Sequence, residues 1–184
     1  MISTRVPLDT SDTVSLIVAL LMRYPELASV RSHPTDGTLR VSFVVSASLE
    51  RKAVRQLHAS LLEHIETFLG MDDVSAQTLD IECEVDEAMT FVHIDRDYAT
   101  FSKEELMLAI DLLRERFGEK LVKNPAADES MDDDEFAREE LVDYAIDTMK
   151  DVDRQKSLVG IREEKRVLIY FLKSKKKVKA RARR

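Results

Sequence analysis

The chain has 184 residues, 44% of them apolar, 6% aromatic and 34% charged, with four Gly, four Pro and no Trp. At this length a fold can bury roughly 70% of the unfolded surface, and so high an apolar fraction with so little Gly and Pro excludes collagen-like, low-complexity and wholly disordered classes. The net charge of −7 conceals two opposed parts: Lys173–Arg184 holds eight of the 28 Lys and Arg and no acid, so residues 1–172 carry −15.

The first periodic segment is Thr13–Tyr24, preceded by the cap candidates Thr10, Ser11 and Asp12 and closed by Pro25. Val14, Ile17, Val18 and Leu21 follow helical spacing, and Leu16, Ala19, Leu20 and Met22 fill most of the remaining circumference. A helix apolar nearly all round must be covered on several sides, inside the domain or inside an oligomer interface, and a homodimer through this helix is expected. Leu27–His33 and Thr38–Ser46, joined by Pro34-Thr35-Asp36-Gly37, read as a hairpin, since Pro presets φ and Gly takes the left-handed position. Ser48 is placed to cap a long helix to about Leu69, striped by Val54, Leu57, Leu61, Ile65 and Phe68, with Gly70 as its stop.

Leu79, Ile81, Cys83 and Val85 alternate with Asp80, Glu82, Glu84 and Asp86, the pattern of a half-buried strand, and Met89–Asp95 can return beside it. Ser102-Lys103-Glu104-Glu105 is a capping box for a third helix, carried by Leu106, Ala109, Ile110, Leu113 and Phe117 to Gly118. Six of the eight residues Asp128–Glu135 are acidic, which predicts a solvated, mobile loop. A fourth helix follows, outlined by Phe136, Leu141, Tyr144, Ala145 and Met149. Leu158–Arg162 and Arg166–Leu172 then form a last hairpin, whose second strand, apolar on both faces, should be central and covered on each side. The order helix–hairpin, helix–hairpin, helix–helix–hairpin predicts an α+β fold: a mainly antiparallel sheet built from helix–hairpin units, with helices packed on it. It is read as a single domain over residues 1–172, with an acidic loop near 124–134, followed by a basic tail at 173–184.

The chemistry is sparse. The four glycines cannot write a P-loop or a dinucleotide fingerprint, and no zinc helix or nucleophile elbow is present. Cys83, on the apolar side of its strand, reads as a buried, inert thiol, and as the single cysteine it makes a reducing cytosol the default compartment. Leu16–Met22, the longest apolar run, is too short for the ~20 residues of a membrane span, so no transmembrane segment is expected. In a strand His93, Asp95 and Asp97 project from one face, which they would share with Glu82 and Glu84; an imidazole among carboxylates could bind Mn²⁺, Fe²⁺ or Zn²⁺. The plainer account is the polar side of a half-buried hairpin in an acidic protein. His58 and His64, six apart on their helix, do not share a face, and His33 stands in a turn.

Lys173, Lys175, Lys176, Lys177, Lys179, Arg181, Arg183 and Arg184 form a block that attracts phosphates through charge alone. Hence the expected function is that of a non-catalytic binding or adaptor protein whose tail engages a polyanion, RNA or a ribonucleoprotein first, with a clamp on the chain's own acidic loop as the internal option. A metal-assisted hydrolase using His93, Asp95 and Asp97 is the alternative. An acidic α+β chain with an apolar first helix and hairpins is also broadly similar to secretion-chaperone-like proteins, which implies a small acidic oligomer. One Asn and three Gln make a depletion of thermolabile amides that hyperthermophile chains also show.

Overall fold

In the computed structural model, which describes residues 8–33, 36–124, 135–150, 157–163 and 166–172, the first hairpin sits at the centre of one six-stranded sheet and the other two flank it. The chain runs α1 (Leu8–Arg23), β1 (Ser29–His33), β2 (Thr38–Val45), α2 (Arg51–Met71), β3 (Leu79–Val85), β4 (Thr90–Asp97) and α3 (Lys103–Phe117). A 3-10 turn at Gly118–Lys120 follows, then α4 (Glu135–Lys150), β5 (Ser157–Glu163) and β6 (Arg166–Leu172). The strand order is β3-β4-β2-β1-β5-β6, with every neighbouring pair antiparallel. The fold is therefore α+β with helices on an antiparallel sheet. Residues 125–134, which hold the expected acidic loop, and the tail at 173–184 lie outside the described residues.

Alternation decides the faces. Leu39, Val41, Phe43 and Val45 of β2 are all buried, and the register sets Val30, Val92, Ile94, Ile81, Leu158 and Gly160 on the same side. That side carries the helices: α1 lies over β1 and β5 so closely that a Cβ on Gly160 would collide with Ile17 and Leu21. Leu57, Leu61, Ile65 and Leu69 of α2, and Leu106, Ala109, Ile110 and Leu113 of α3, complete the same core.

Four details differ from the sequence reading. First, β6 is an edge strand and not a central one; among the described residues it pairs with β5 alone, and Tyr170 is 50% and Phe171 61% exposed. Two-sided apolarity specifies what a strand's faces need, not how many neighbours its backbone finds. Second, the surplus apolar surface of α1 is covered within the monomer, because α4 packs on it from outside the sheet layer, with Arg23 Nη2 3.2 Å from Glu139 Oε1. The expected dimer contact through α1 thus loses its premise. Third, α4 buries Val142, Ala145 and Ile146, spaced as one face, and leaves Leu141 59% and Tyr144 71% exposed. Finally, α1 begins at Leu8, ahead of its cap candidates, and α2 begins at Arg51, with Glu50 in the cap position and no side-chain cap bond, so Ser48 is not the cap. At α3 the Ser102 hydroxyl does accept from the Glu105 N–H at 3.2 Å, but the Glu105 carboxylate does not reach back.

It points into the core instead. Arg96, fully buried on the helix side of β4, donates from Nε to Glu105 Oε1 at 2.6 Å and from Nη2 to Oε2 at 3.0 Å. Its Nη1 reaches the Thr78 carbonyl at 2.6 Å and Asp97 Oδ1 at 2.7 Å, and Nη2 reaches Thr100 Oγ1 at 3.0 Å. Burial works against the Arg96 charge, and the hydrogen bonds and charges of Glu105 and Asp97 override it, raising its pKa. One guanidinium so ties the end of β4 to the start of α3 and to the approach into β3.

Candidate functional site

The helix-free side of the sheet is the surface on which the candidate residues meet. On β4 the register places Phe91, His93 and Asp95 there, with Ser42 and Glu82 opposite His93 on the two neighbouring strands, and Arg40 and Asp80 opposite Asp95. These are the positions that the alternation predicts, and Glu82 and Glu84 do share that face with His93. Its middle carries Arg31 and His33 of β1 beside Arg40, and its far end Ile161, Leu168, Tyr170 and Leu172 of β5 and β6. The surface thus passes from carboxylates through cations to apolar side chains across six strands.

The carboxylates turn to separate partners. Arg40 holds Asp95 in a bidentate pair, Nε to Oδ1 at 2.9 Å and Nη2 to Oδ2 at 2.6 Å, while its Nη1 lies 3.2 Å from Glu82 Oε2. The Asp95 hydrogen bond is the main reason that the Arg40 pKa is raised. Asp97, at the strand end, accepts on Oδ1 from the Gln77 and Thr78 N–H groups, both at 3.0 Å, and from Arg96 Nη1; on Oδ2 it accepts from the Thr100 N–H at 3.0 Å and hydroxyl at 2.7 Å. Burial alone would raise its pKa, but these bonds and the Arg96 charge hold it below the usual carboxylate range. His93, Asp95 and Asp97 share a strand without converging on one point, and among the described residues no group of three His, Cys, Asp or Glu is placed to hold a metal ion.

His93 Nδ1 lies 2.8 Å from Ser42 Oγ, and its ring stacks on Phe91 with centroids 6.4 Å apart and planes 9° from parallel. Burial lowers the His93 pKa and Arg40 adds to the effect, against the opposing pull of Glu84, Glu82 and Asp95, so the imidazole is held neutral. A hydroxyl beside a neutral imidazole is the start of an acyl-transfer site. Here, however, Ser42 sits between β1 and β4, whose ladders run on both sides of it and engage the backbone N–H groups an oxyanion hole would use.

The remaining histidines are apart: His33 ends β1, His58 is half-buried on α2, and the exposed His64 has its Nδ1 2.7 Å from the Ser60 carbonyl. Cys83 stands opposite Val92 on the core side, its thiol pushed up by burial and by Glu82, which makes thiolate chemistry unfavourable. The tail cations Lys173, Lys175, Lys176, Lys177, Lys179, Arg181, Arg183 and Arg184 lie outside the described residues. Arg96 is the residue that sequence reasoning passed over. The signal was present, since a strand that puts Val92 and Ile94 inward puts Arg96 inward too. No helix among the described residues is long and apolar enough to cross a membrane. No family model, curated protein or solved structure matches the chain.

Proposed function

We propose that the chain is a non-catalytic binding or adaptor protein, in which an acidic α+β body presents its basic C-terminal segment to a polyanion, RNA or a ribonucleoprotein foremost. The observation that carries this reading is the internal pairing of four of the body's cations. Arg40 is committed to Asp95 and Glu82, Arg96 to Glu105 and Asp97, Arg114 to Glu26, and Lys103 to Asp143, at N···O separations of 2.6–3.2 Å. With these neutralised at home and a charge of −15 on residues 1–172, the densest run of cations left to attract a polyanion is the eight after Leu172. The same pairing favours binding over metal-assisted hydrolysis, because Asp95 and Asp97 are already occupied by guanidinium groups. Self-association belongs to the reading as well: two copies bring two tails, and linked tails bind a long polyanion more tightly than one.

The test compares the full chain with a Lys175→Gln/Lys176→Gln/Lys177→Gln variant on mixed-sequence single-stranded RNA as a function of salt. If about five phosphates are neutralised, the log–log slope is near −3.5, a loss of about a hundredfold between 50 and 200 mM salt, and three fewer cations flatten it by roughly 2. Equal slopes for the two proteins, or no binding by either, defeat the proposal.

A further inference from the structure

We propose that β6 is the interface between two copies of this chain, pairing antiparallel with itself about a two-fold axis at Ile169 to give one continuous twelve-stranded sheet. The starting point is the conflict between the strand's composition and its place. Val167-Leu168-Ile169-Tyr170-Phe171-Leu172 is apolar on both faces, as strands covered on every side are, yet among the described residues β6 has one neighbour, and its Tyr170 and Phe171 are 50% and 61% exposed. A long, apolar edge strand without charge along its middle is a template for a further strand.

The strand's own residues choose a second copy as that strand. In an antiparallel pair directly opposed residues face the same side, so the axis must pass through a residue. Placing it at Ile169 uses all seven residues of β6: Tyr170 then stands across from Leu168 of the partner subunit, and Phe171 from Val167 of the partner subunit. Aromatic side chains facing aliphatic ones are favourable cross-strand pairs. Both copies keep their helices on the same side of the joined sheet, where Val167 and Ile169 pack on the core and Phe171 is 61% exposed.

Charge selects the direction. A parallel pair would lay two segments of eight cations side by side, whereas the antiparallel pair sends them off opposite ends, roughly 20 Å apart for seven residues. The opposite edge of the sheet, β3, shows Asp80, Glu82 and Glu84 and would repel its own copy. An edge of seven residues buries less than the ~1,600 Å² of a standard interface, so dissociation in the micromolar range is expected.

The proposal stands apart from the polyanion reading and is tested without RNA. Light scattering of the full chain from about 1 to 200 μM should show the mass rise from monomer to dimer, a range that brackets the expected dissociation constant. Tyr170→Lys and Phe171→Lys, both at exposed positions, should remain monomeric throughout with unchanged circular dichroism. A wild-type chain that is still monomeric at the top of the range, or variants that dimerise like it, overturns the interface. The register is read separately by oxidation in a Cys83→Ser background. Ile169→Cys alone should cross-link to its own copy, because only the residue on the axis comes within the Cα separation of about 4.4–6.8 Å that a disulfide needs. Cross-linking of Leu168→Cys or Tyr170→Cys in preference to Ile169→Cys overturns the proposed axis.

Discussion

The two edges of the sheet solve opposite problems. β3 alternates inward Ile81 and Cys83 with outward Asp80, Glu82 and Glu84, and its approach is held by polar contacts: Asp97 takes the N–H groups of Gln77 and Thr78, and Arg96 the Thr78 carbonyl. β6 has no acid, and its side of the sheet is held by shape, with α1 settled over Gly160 and α4 laid on α1. A strand whose outward side chains repel their own kind can end a sheet; a strand apolar on both faces ends it at the cost of exposed aromatics. The contrast teaches that an edge is defined by its side chains as much as by its missing neighbour.

The largest test of this contrast strikes the polar anchor. Arg96→Met strands Glu105 and Asp97 in the core and should cost about 3–5 kcal/mol in urea denaturation, the range for breaking one partner out of a buried ion pair. Arg96→Met/Glu105→Met, which removes the guanidinium and one of the two stranded carboxylates, should cost less than the single change; an equal or greater loss would show that the Arg96–Glu105 pair itself, and not the orphaned Glu105, is what stabilises that side. On the β6 side, Gly160→Ala forces Ile17 and Leu21 of α1 to give way and should lower stability by about 1–3 kcal/mol, as overpacking does. A neutral outcome in thermal denaturation would mean that α1 is not seated as closely as the strand requires.

Smaller in stability but sharper for the comparison, Glu82→Val/Glu84→Val converts the outward side of β3 into that of β6. Light scattering should then show species beyond the dimer, since a sheet adhesive at both edges can extend without closing. An unchanged mass would mean that side-chain charge is not what protects β3. The smallest effect is on pH dependence. The pKa values of His93 and His33 are both lowered, in each case by burial first and a neighbouring arginine next. The unfolded chain therefore takes up these protons more readily, so the stability held above about pH 6.5 should decline as the pH falls below it. His93→Gln should flatten part of that decline in urea midpoints measured between about pH 7 and 5, a window spanning the ordinary histidine value.

Much of the local structure was legible in the chain. The boundaries of β3 and β6 follow from composition alone, the turn before Thr38 places Gly37 at φ 66° as its sequence requires, and the Ser102 cap forms as its spacing implies. The polar face of β4 was legible too, because a period of two admits one assignment once Val92 and Ile94 are inside. The same rule extended by one step would have found Arg96, whose charge disguised an inward position. What the carboxylates beside His93 do was not legible, since Arg40 reaches them from a strand 55 residues away in sequence.

The sequence by itself determined the elements, the inward face of each strand and the segregation of charge, all consequences of spacing along one chain. Only the tertiary structure decided that the first hairpin is central, that β6 lies at an edge, that α4 covers α1, and that Asp95 and Asp97 face guanidinium groups. Periodicity records which side of an element avoids water; it does not record which element arrives to cover it, and that choice is made by packing among segments far apart in the chain.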